Sequence, residues 1–257
     1  MSAISLDVDS DGVGVLSVSR PRVRNALNWE AMAEFAAIVE QAAERALADM
    51  RALIVSGAGG TFISGGDIAE LQKYPGEEDG LRLATVMGDA LARLEALPCP
   101  TIAAMDGAAR GGGCEVAVAC DLRVMAEDAD AGFVHTRLGI ITAWGGGQRL
   151  LRLVGYARAL DLLTTGRVIS AAEALALGLA SRLAPAGEAL NVAREWARQI
   201  AANPPAAVRA AKRILRIGLT HPNGAALDAE RAEFPALWAT EERRAAVARF
   251  LRKVGRR

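Results

Sequence analysis

The apolar positions near the start of the chain follow the spacing of strands and then that of a helix. Apolar and polar residues alternate over 4–8 and resume over 13–18, on either side of Asp11-Gly12, which predicts a β-hairpin. From Asn28 the apolar residues recur every three or four positions, as they do in an amphipathic helix. Asparagine is a favourable N-cap, so we expect the helix to begin at Asn28.

The middle of the chain alternates buried strands with helices. Continuous apolar runs predict strands over 51–57, 101–105 and 121–126, with helical spacing over 81–97 and after 116. Strands separated by helices form crossover units, which favour a mostly parallel sheet and the α/β fold class. After Gly145 the pattern is almost wholly helical, with helices predicted over 150–164, 171–177, 186–201, 205–217 and 223–254. We expect this helical end to serve assembly.

Composition narrows the class of protein. A chain of 257 residues that is 52% hydrophobic can bury one large core, so we expect one main domain with an appended element. Its 30 basic residues balance 30 acidic ones, which argues against binding to nucleic acid or to an anionic membrane. The C-terminus is locally basic, and such a tail either meets a phosphate or is simply a solvated end.

The three cysteines, Cys99, Cys114 and Cys120, have no metal-ligand spacing and form an odd set. This argues against a disulfide framework or a metal site and favours a reducing cytoplasm. The chain begins without a basic segment followed by an apolar one, and no apolar run approaches the roughly twenty residues that cross a bilayer. We therefore expect a cytoplasmic protein with no membrane contact.

The first candidate for chemistry is the triple glycine 111–113, which follows a predicted strand and precedes Glu115. A strand-glycine-helix junction offers unpaired amides and a positive dipole to an oxyanion or a carbonyl oxygen. The alternative is a tight turn that only allows close helix packing. Glu115 is correspondingly either a catalytic acid or base or a helix N-terminal glutamate that interacts with the dipole.

A second glycine loop, FISGGDI at 62–68, follows the strand predicted over 51–57. If the strands preceding the two loops are neighbours in a parallel sheet, both loops leave the same edge, where ligands of α/β folds usually bind. The amides of Gly66 and Gly112 would then converge on one oxygen. Two converging amides form an oxyanion hole.

The two loops together resemble the crotonase superfamily, which is the enoyl-CoA hydratase/isomerase family. Similar blocks occur in the family's order along nearly the whole chain: RPRVRNALN at 20–28, FISGGDI at 62–68, AAMDGAARGGGCEVAVACDLRVMAEDA at 103–129, GGGQRLLRLVG at 145–155, LTTGRVISAAEALALGLASRL at 163–183 and NPPAAVRAAKRIL at 203–215. The order and spacing of these blocks are more specific than any one of them.

The resemblance implies a spiral of βαβ units over 1–199 and a C-terminal helical oligomerisation region over 200–257, assembled as a homotrimer or a dimer of trimers. It implies an acyl-CoA substrate whose thioester carbonyl is held by the amides of Gly66 and Gly112. It implies no cofactor, because coenzyme A is part of the substrate. The positions it assigns to substrate and CoA binding are Arg24, Ala26, Ser64, Asp67, Ile68, Trp144 and, in the basic tail, Lys253.

The chain departs from the family pattern at the second acid. Hydratases of the family use two acids, one at the position of Glu115 and one where this chain has His135. His135 is either a proton carrier or a residue that hydrogen-bonds locally and holds its loop. His221, which precedes a proline and a late helix, is expected to be structural.

The segment FVH…LGI…WGGG resembles the branch of the family that contains ethylmalonyl-CoA decarboxylase. Decarboxylation needs the same oxyanion hole as hydration but no second acid. Trp144 in this segment either narrows the acyl pocket or packs in the core. We therefore expect an acyl-CoA enzyme of the hydratase/isomerase type, with decarboxylation of a short 2-carboxyacyl-CoA as the alternative. A catalytically inactive member that binds CoA or RNA is the second alternative.

Overall fold

The computed structural model describes the backbone of residues 2–221 and 223–254, and the side chains of 2–221 and 224–249. The chain opens with the predicted hairpin, in which β1 (Ile4–Val8) pairs antiparallel with β2 (Val13–Val18). Helix α1 (Trp29–Ala48) follows, and the Asn28 side chain accepts a hydrogen bond from the Ala31 amide at 3.0 Å. The predicted N-cap is thus confirmed.

A six-stranded sheet forms the centre of the molecule. Its other strands are β3 (Ala52–Gly57), β4 (Thr101–Met105), β6 (Leu122–Ala126) and β9 (Arg182–Ala184). The spatial order is β1-β2-β3-β4-β6-β9, and every pair except the hairpin is parallel. The apolar strands β3 and β4 are buried, as expected for a parallel sheet. The α/β fold class is confirmed.

Helices and a small sheet complete the crossovers between these strands. They are α2 (Ile68–Leu71), α3 (Glu77–Ala96), α4 (Gly112–Ala119) and the three-stranded sheet of β5 (Ala109–Arg110), β7 (Asp130–Gly132) and β8 (Val168–Ser170). Helix α3 begins before the predicted 81–97 because three acidic residues occupy its first turn, where the helix dipole favours them. Helices α1 and α3 pack against each other.

The C-terminal part is less uniformly helical than predicted. The helices are α5 (Gly146–Val154), α6 (Tyr156–Thr165), α7 (Ala171–Ala176), α8 (Ala189–Ala201), α9 (Pro205–Gly218), α10 (Asn223–Trp238) and α11 (Glu241–Val254). The single helix predicted over 150–164 is wrong, because Gly155 adopts a φ of +80° that breaks it into α5 and α6. The single helix predicted over 223–254 is likewise two helices, and the short strands β8 and β9 were not predicted.

Helix α8 packs against β3 and β4 through alanines that face the core, including Ala193 and Ala197. The boundary predicted between 199 and 200 falls inside this helix. The division into a core and an oligomerisation region therefore stays a prediction. No helix of the described part of the chain is long and apolar enough to span a bilayer.

Candidate active site

Strands β3 and β4 are parallel neighbours, so the two glycine loops that follow them leave the same edge of the six-stranded sheet. The first loop contains Gly65 and Gly66, and the second leads through β5 to Gly112. A Cβ added to Gly65 would lie 2.9 Å from the Gly112 nitrogen, and Gly65 has a φ of +91°. Only glycine therefore fits at this contact, and the two loops touch beside Gly66 and Gly112.

The amides of Gly66 and Gly112 are available to a ligand. Leu27 donates to the Gly65 carbonyl at 2.8 Å, and the Asp67 amide donates to the Leu27 carbonyl at 2.9 Å. This parallel bridge directs the Gly66 amide away from Leu27. Gly112 is the first residue of α4, where the initial amides of a helix lack internal acceptors. Within the described residues, neither amide has a hydrogen-bond acceptor.

Glu115 lies in the first turn of α4, and its side chain is almost completely buried. Its Oε2 accepts hydrogen bonds from the amides of Trp144 and Gly146, each at 2.8 Å. Its Oε1 lies 3.0 Å from His135 Nε2 and 3.4 Å from the Ala143 amide. Both carboxylate oxygens are therefore held by the protein.

His135 lies in a 3-10 turn, Val134–Leu138, and is 8% exposed. Its Nε2 donates to Glu115, because an ionised carboxylate can only accept. Its Nδ1 is buried and has no hydrogen-bond partner among the residues described. The structure thus brings the two predicted residues together as a pair that presents one unpartnered ring nitrogen.

The Trp144 side chain is buried and lies against the second glycine loop. A Cβ added to Gly112 would lie only 2.1 Å from Trp144 Cζ3, so the indole occupies the space that a side chain at Gly112 would fill. The ring therefore narrows the volume beside the Gly112 amide, and it also packs as part of the core. The packing interpretation of Trp144 is confirmed, and its narrowing of an acyl pocket stays a prediction.

The segments 20–28 and 62–68, which the resemblance assigns to the CoA site, lie side by side through the Leu27–Gly66 bridge. The predicted positions within them differ in exposure. Arg24 and Ile68 are exposed, Ser64 and Asp67 are partly buried, and Ala26 is buried. Asp67 forms an ion pair with Arg20 at 3.6 Å. The predicted Lys253 falls outside the residues whose side chains are described.

Asn25 is a site-forming residue that sequence reasoning missed. It is completely buried at a φ of +57°, and its Nδ2 donates to the carbonyls of Ala58, Thr61 and Phe62 at 2.8, 2.8 and 3.1 Å. Its Oδ1 accepts from the Arg20 amide at 2.8 Å. Asn25 therefore ties the 20–28 segment to the loop that leads to Gly66. The sequence feature that could have indicated this role is an asparagine within a turn, since asparagine tolerates the left-handed conformation.

An apolar cavity lies away from the glycine loops. Its volume is about 440 Å³, and helices α4, α5, α8 and α9 line it with side chains that include Val118, Leu153 and Leu215. Gly66, Gly112, Glu115 and His135 do not border it. Among the described residues, no group of three or more acidic, histidine or cysteine side chains has the geometry of a metal site.

Fold and site together define a class of protein: a mostly parallel α/β protein whose paired glycine loops and buried acid meet at one sheet edge. The enoyl-CoA hydratase/isomerase family model matches residues 9–256. The chain is 33% identical to ethylmalonyl-CoA decarboxylase from Gallus gallus, covering 92% of this chain and 80% of that protein. It is 35% identical to short-chain-enoyl-CoA hydratase from Clostridium acetobutylicum, covering 94% and 92%.

Solved structures show the same relationship. A crystal structure of enoyl-CoA hydratase from Bacillus anthracis superposes with a TM-score of 0.92 at 36% identity, covering 98% of this chain and 96% of that one. The chain therefore belongs to the enoyl-CoA hydratase/isomerase family, and its fold is the crotonase fold. Both the family and the fold that the glycine loops indicated are confirmed.

Proposed function

We propose that this chain binds an acyl-CoA thioester with its carbonyl oxygen between the amides of Gly66 and Gly112. The two loops touch at these positions, and both amides lack an acceptor among the described residues. A thioester enolate carries its negative charge on that oxygen, so the two amides stabilise the enolate more than the neutral substrate. Losing one such donor typically costs about 2.7 to 4 kcal/mol in the transition state.

The Glu115–His135 pair determines which reaction we assign to that enolate. Hydration needs a second acid to help deliver water, and the partner of Glu115 is instead the imidazole of His135. Glu115 itself is held at Oε2 by two amides and at Oε1 by the ring. The atom left free for proton transfer is therefore His135 Nδ1. This single observation supports decarboxylation over hydration.

In the proposed reaction, a 2-carboxyacyl-CoA loses carbon dioxide at the oxyanion hole. The bond between C2 and its carboxylate carbon breaks, and the electron pair passes into the thioester enolate. A proton from Nδ1 of protonated His135 then adds to C2, which gives the shortened acyl-CoA, and solvent returns the proton to the ring. Glu115 holds the ring in place and stabilises its positive charge, as a carboxylate does in other acid-histidine pairs.

The packing of Trp144 supports a short acyl group. The indole fills the volume beside the Gly112 amide, which leaves less room next to the thioester. The relative from Gallus gallus is named for a malonyl derivative with an ethyl branch. We therefore assign this chain a 2-carboxyacyl-CoA with a methyl or ethyl branch.

Hydration of an enoyl-CoA is the second candidate, favoured by the similarity to the Clostridium acetobutylicum and Bacillus anthracis hydratases. One experiment separates the two. The purified protein is incubated with methylmalonyl- or ethylmalonyl-CoA and, separately, with crotonyl-CoA, and initial rates are compared. Decarboxylation at least about tenfold faster than hydration supports the proposal, since a missing general acid or base costs at least that much. Rapid hydration of crotonyl-CoA would refute it.

We also propose that the chain assembles as a homotrimer or a dimer of trimers. Helices α9 and α10 and the residue after α9 expose large apolar side chains, among them Leu215, Leu219, Phe234 and Trp238, all more than half exposed. Exposed apolar surface of this kind marks an interface. Sedimentation equilibrium should give three or six copies, and a monomer at micromolar concentration would contradict the proposal.

A further inference from the structure

The turn formed by Trp144, Gly145 and Gly146, called the 144–146 turn below, lies between an anion and a cation. On one side its two outer amides donate to Glu115 Oε2. On the other side Arg149 Nη1 donates to the Trp144 carbonyl at 2.7 Å. A Cβ added to Gly146 would lie 2.4 Å from Glu115 Cγ, and one added to Gly145 would lie 2.8 Å from Arg149 Nη1. Both charged side chains therefore pack directly on the backbone of the turn.

Arg149 is itself fixed in place. It is 8% exposed, and its Nε donates to Glu95 Oε2 on helix α3 at 2.9 Å. The donors of a guanidinium lie in one rigid plane, so bonds at Nε and Nη1 together determine its orientation. Glu95 also lies 3.5 Å from Arg216 on α9 and 3.8 Å from Arg152. Three arginines thus share one carboxylate, and one of them reaches the turn.

We propose that Arg149 is a positioning residue for the reaction, acting on Glu115 through the 144–146 turn. The inference rests on the proposed function, in which Glu115 orients the proton carrier His135. Without the guanidinium the Trp144 carbonyl loses its charged donor, and the turn is free to rotate the two amides that hold Oε2. The carboxylate and the ring bonded to it then leave the geometry needed for proton transfer.

Arg149 also connects the site to helix α9 through a series of side-chain contacts. Arg216 of α9 contacts Glu95, Glu95 contacts Arg149, and Arg149 contacts the turn that holds Glu115. The chain of contacts is continuous from α9 to the carboxylate.

The simplest competing explanation is that Arg149 only stabilises the fold through its ion pair with Glu95. The chain offers a matched control for this explanation. Arg152 lies one helical turn further along α5 and pairs with the same carboxylate, whereas the guanidinium that donates to the 144–146 turn is that of Arg149. Arg149→Met and Arg152→Met each remove one cation from Glu95, and only the first removes the donor to Trp144.

The test compares these two variants with Arg149→Lys and the unaltered protein in steady-state turnover of ethylmalonyl-CoA. Arg149→Met should lower kcat by about tenfold to a hundredfold, the usual effect of displacing a catalytic group by about 1 Å. Its KM should stay within about threefold, because the amides of Gly66 and Gly112 are untouched. Arg152→Met should leave both constants within about threefold. Arg149→Lys keeps the positive charge but cannot donate to Glu95 and to the Trp144 carbonyl from one rigid planar group. Its kcat should therefore lie between those of Arg149→Met and the unaltered protein.

Hydrogen exchange supplies a readout that does not depend on turnover. The Trp144 and Gly146 amides, followed by mass spectrometry of a peptide covering 140–150, should exchange faster in Arg149→Met and unchanged in Arg152→Met. If the unaltered protein turns over no acyl-CoA, the proposed function fails, and this exchange comparison still decides whether Arg149 holds the turn. Equal effects of the two methionine variants on kcat and exchange would overturn the inference, as would a folded Arg149→Met with unaltered kcat. If Arg149→Met does not fold, Arg149→Lys takes its place in the comparison with Arg152→Met. A lower kcat and faster exchange in Arg149→Lys alone then support the inference, and equal effects overturn it.

Discussion

Replacing Glu115 with glutamine tests the assignment of the buried pair, since the side chain keeps its shape and loses its charge. The glutamine carbonyl can take the place of Oε2 and keep both 2.8 Å bonds from the amides of Trp144 and Gly146. The new amide group then faces His135 Nε2 and the Ala143 amide, where Oε1 accepted at 3.0 and 3.4 Å. Because this amide group donates, the His135 imidazole must accept at Nε2, and the hydrogen of the neutral ring moves to Nδ1. The protonated imidazole also loses the carboxylate that was its counter-ion.

The expected effect on folding is modest and the expected effect on turnover is large. Two hydrogen bonds from backbone amides change from charge-assisted to neutral, at about 1 kcal/mol each, so we expect the free energy of unfolding to fall by about 2 kcal/mol. The decrease in the free energy of unfolding is no larger because the variant also loses the cost of burying a charge. That gain offsets the loss of the weak hydrogen bond from the Ala143 amide. Without the carboxylate that stabilises the charged imidazole, kcat should fall by about 10²- to 10⁴-fold, or about 2.7 to 5.5 kcal/mol.

The assay measures kcat for ethylmalonyl-CoA and the free energy of unfolding in urea for Glu115→Gln and for Glu173→Gln. Glu173 is the matched control, because its carboxylate pairs with Arg167 at 2.6 Å on the surface, away from the glycine loops. The control should change neither quantity appreciably. A Glu115→Gln variant that is folded and turns over substrate within about threefold of the unaltered protein would refute the assigned role.

Three further substitutions follow from the same geometry. His135→Glu places a second carboxylate beside that of Glu115, so crotonyl-CoA hydration should rise while decarboxylation falls. If hydration does not rise, the missing second acid is not what limits hydration in this chain. Gly112→Ala puts a methyl carbon 2.1 Å from the Trp144 ring, so it should lower the free energy of unfolding by about 1 to 3 kcal/mol and reduce kcat. Gly80→Ala, whose methyl meets nothing within 4 Å, is the control in the same urea and turnover assays. Asn25→Ala leaves three carbonyls without their donor and should cost about 3 kcal/mol or more in the same denaturation assay, and a decrease below about 1 kcal/mol would contradict its anchoring role.

The sequence predicted those parts of the fold that depend on local periodicity. The hairpin, the Asn28 cap and the mostly parallel sheet are all confirmed. The strands β8 and β9 were missed because each has three residues and exists only through pairing with β7 or β6. No local pattern of that length distinguishes a strand from a loop. The break at Gly155 was missed because apolar spacing continues across it, although the φ of Gly155 is positive.

The sequence predicted the main residues of the candidate site, but not their contacts or the supporting residues Asn25 and Arg149. The glycine loops, Glu115 and His135 could each be found from motif order. The hydrogen bond between Glu115 and His135 spans 20 positions and two elements, and it depends on the turn at 144–146, whose amides have no side-chain signature. Arg149 showed no sign of a role in the site, because an arginine in an amphipathic helix usually faces solvent. Its burial follows from the ion pair with Glu95, which is 54 positions away.

In the proposed function, the free amides at the touching glycine loops hold the thioester oxygen of an acyl-CoA. A crystal structure with a non-hydrolysable 2-carboxyacyl-CoA analogue measures this directly. We predict that the thioester oxygen lies about 2.7 to 3.1 Å from both the Gly66 and the Gly112 nitrogen, with His135 Nδ1 facing C2 of the acyl group. A thioester bound away from these amides, for example in the apolar cavity between α4 and α9, would contradict the claim.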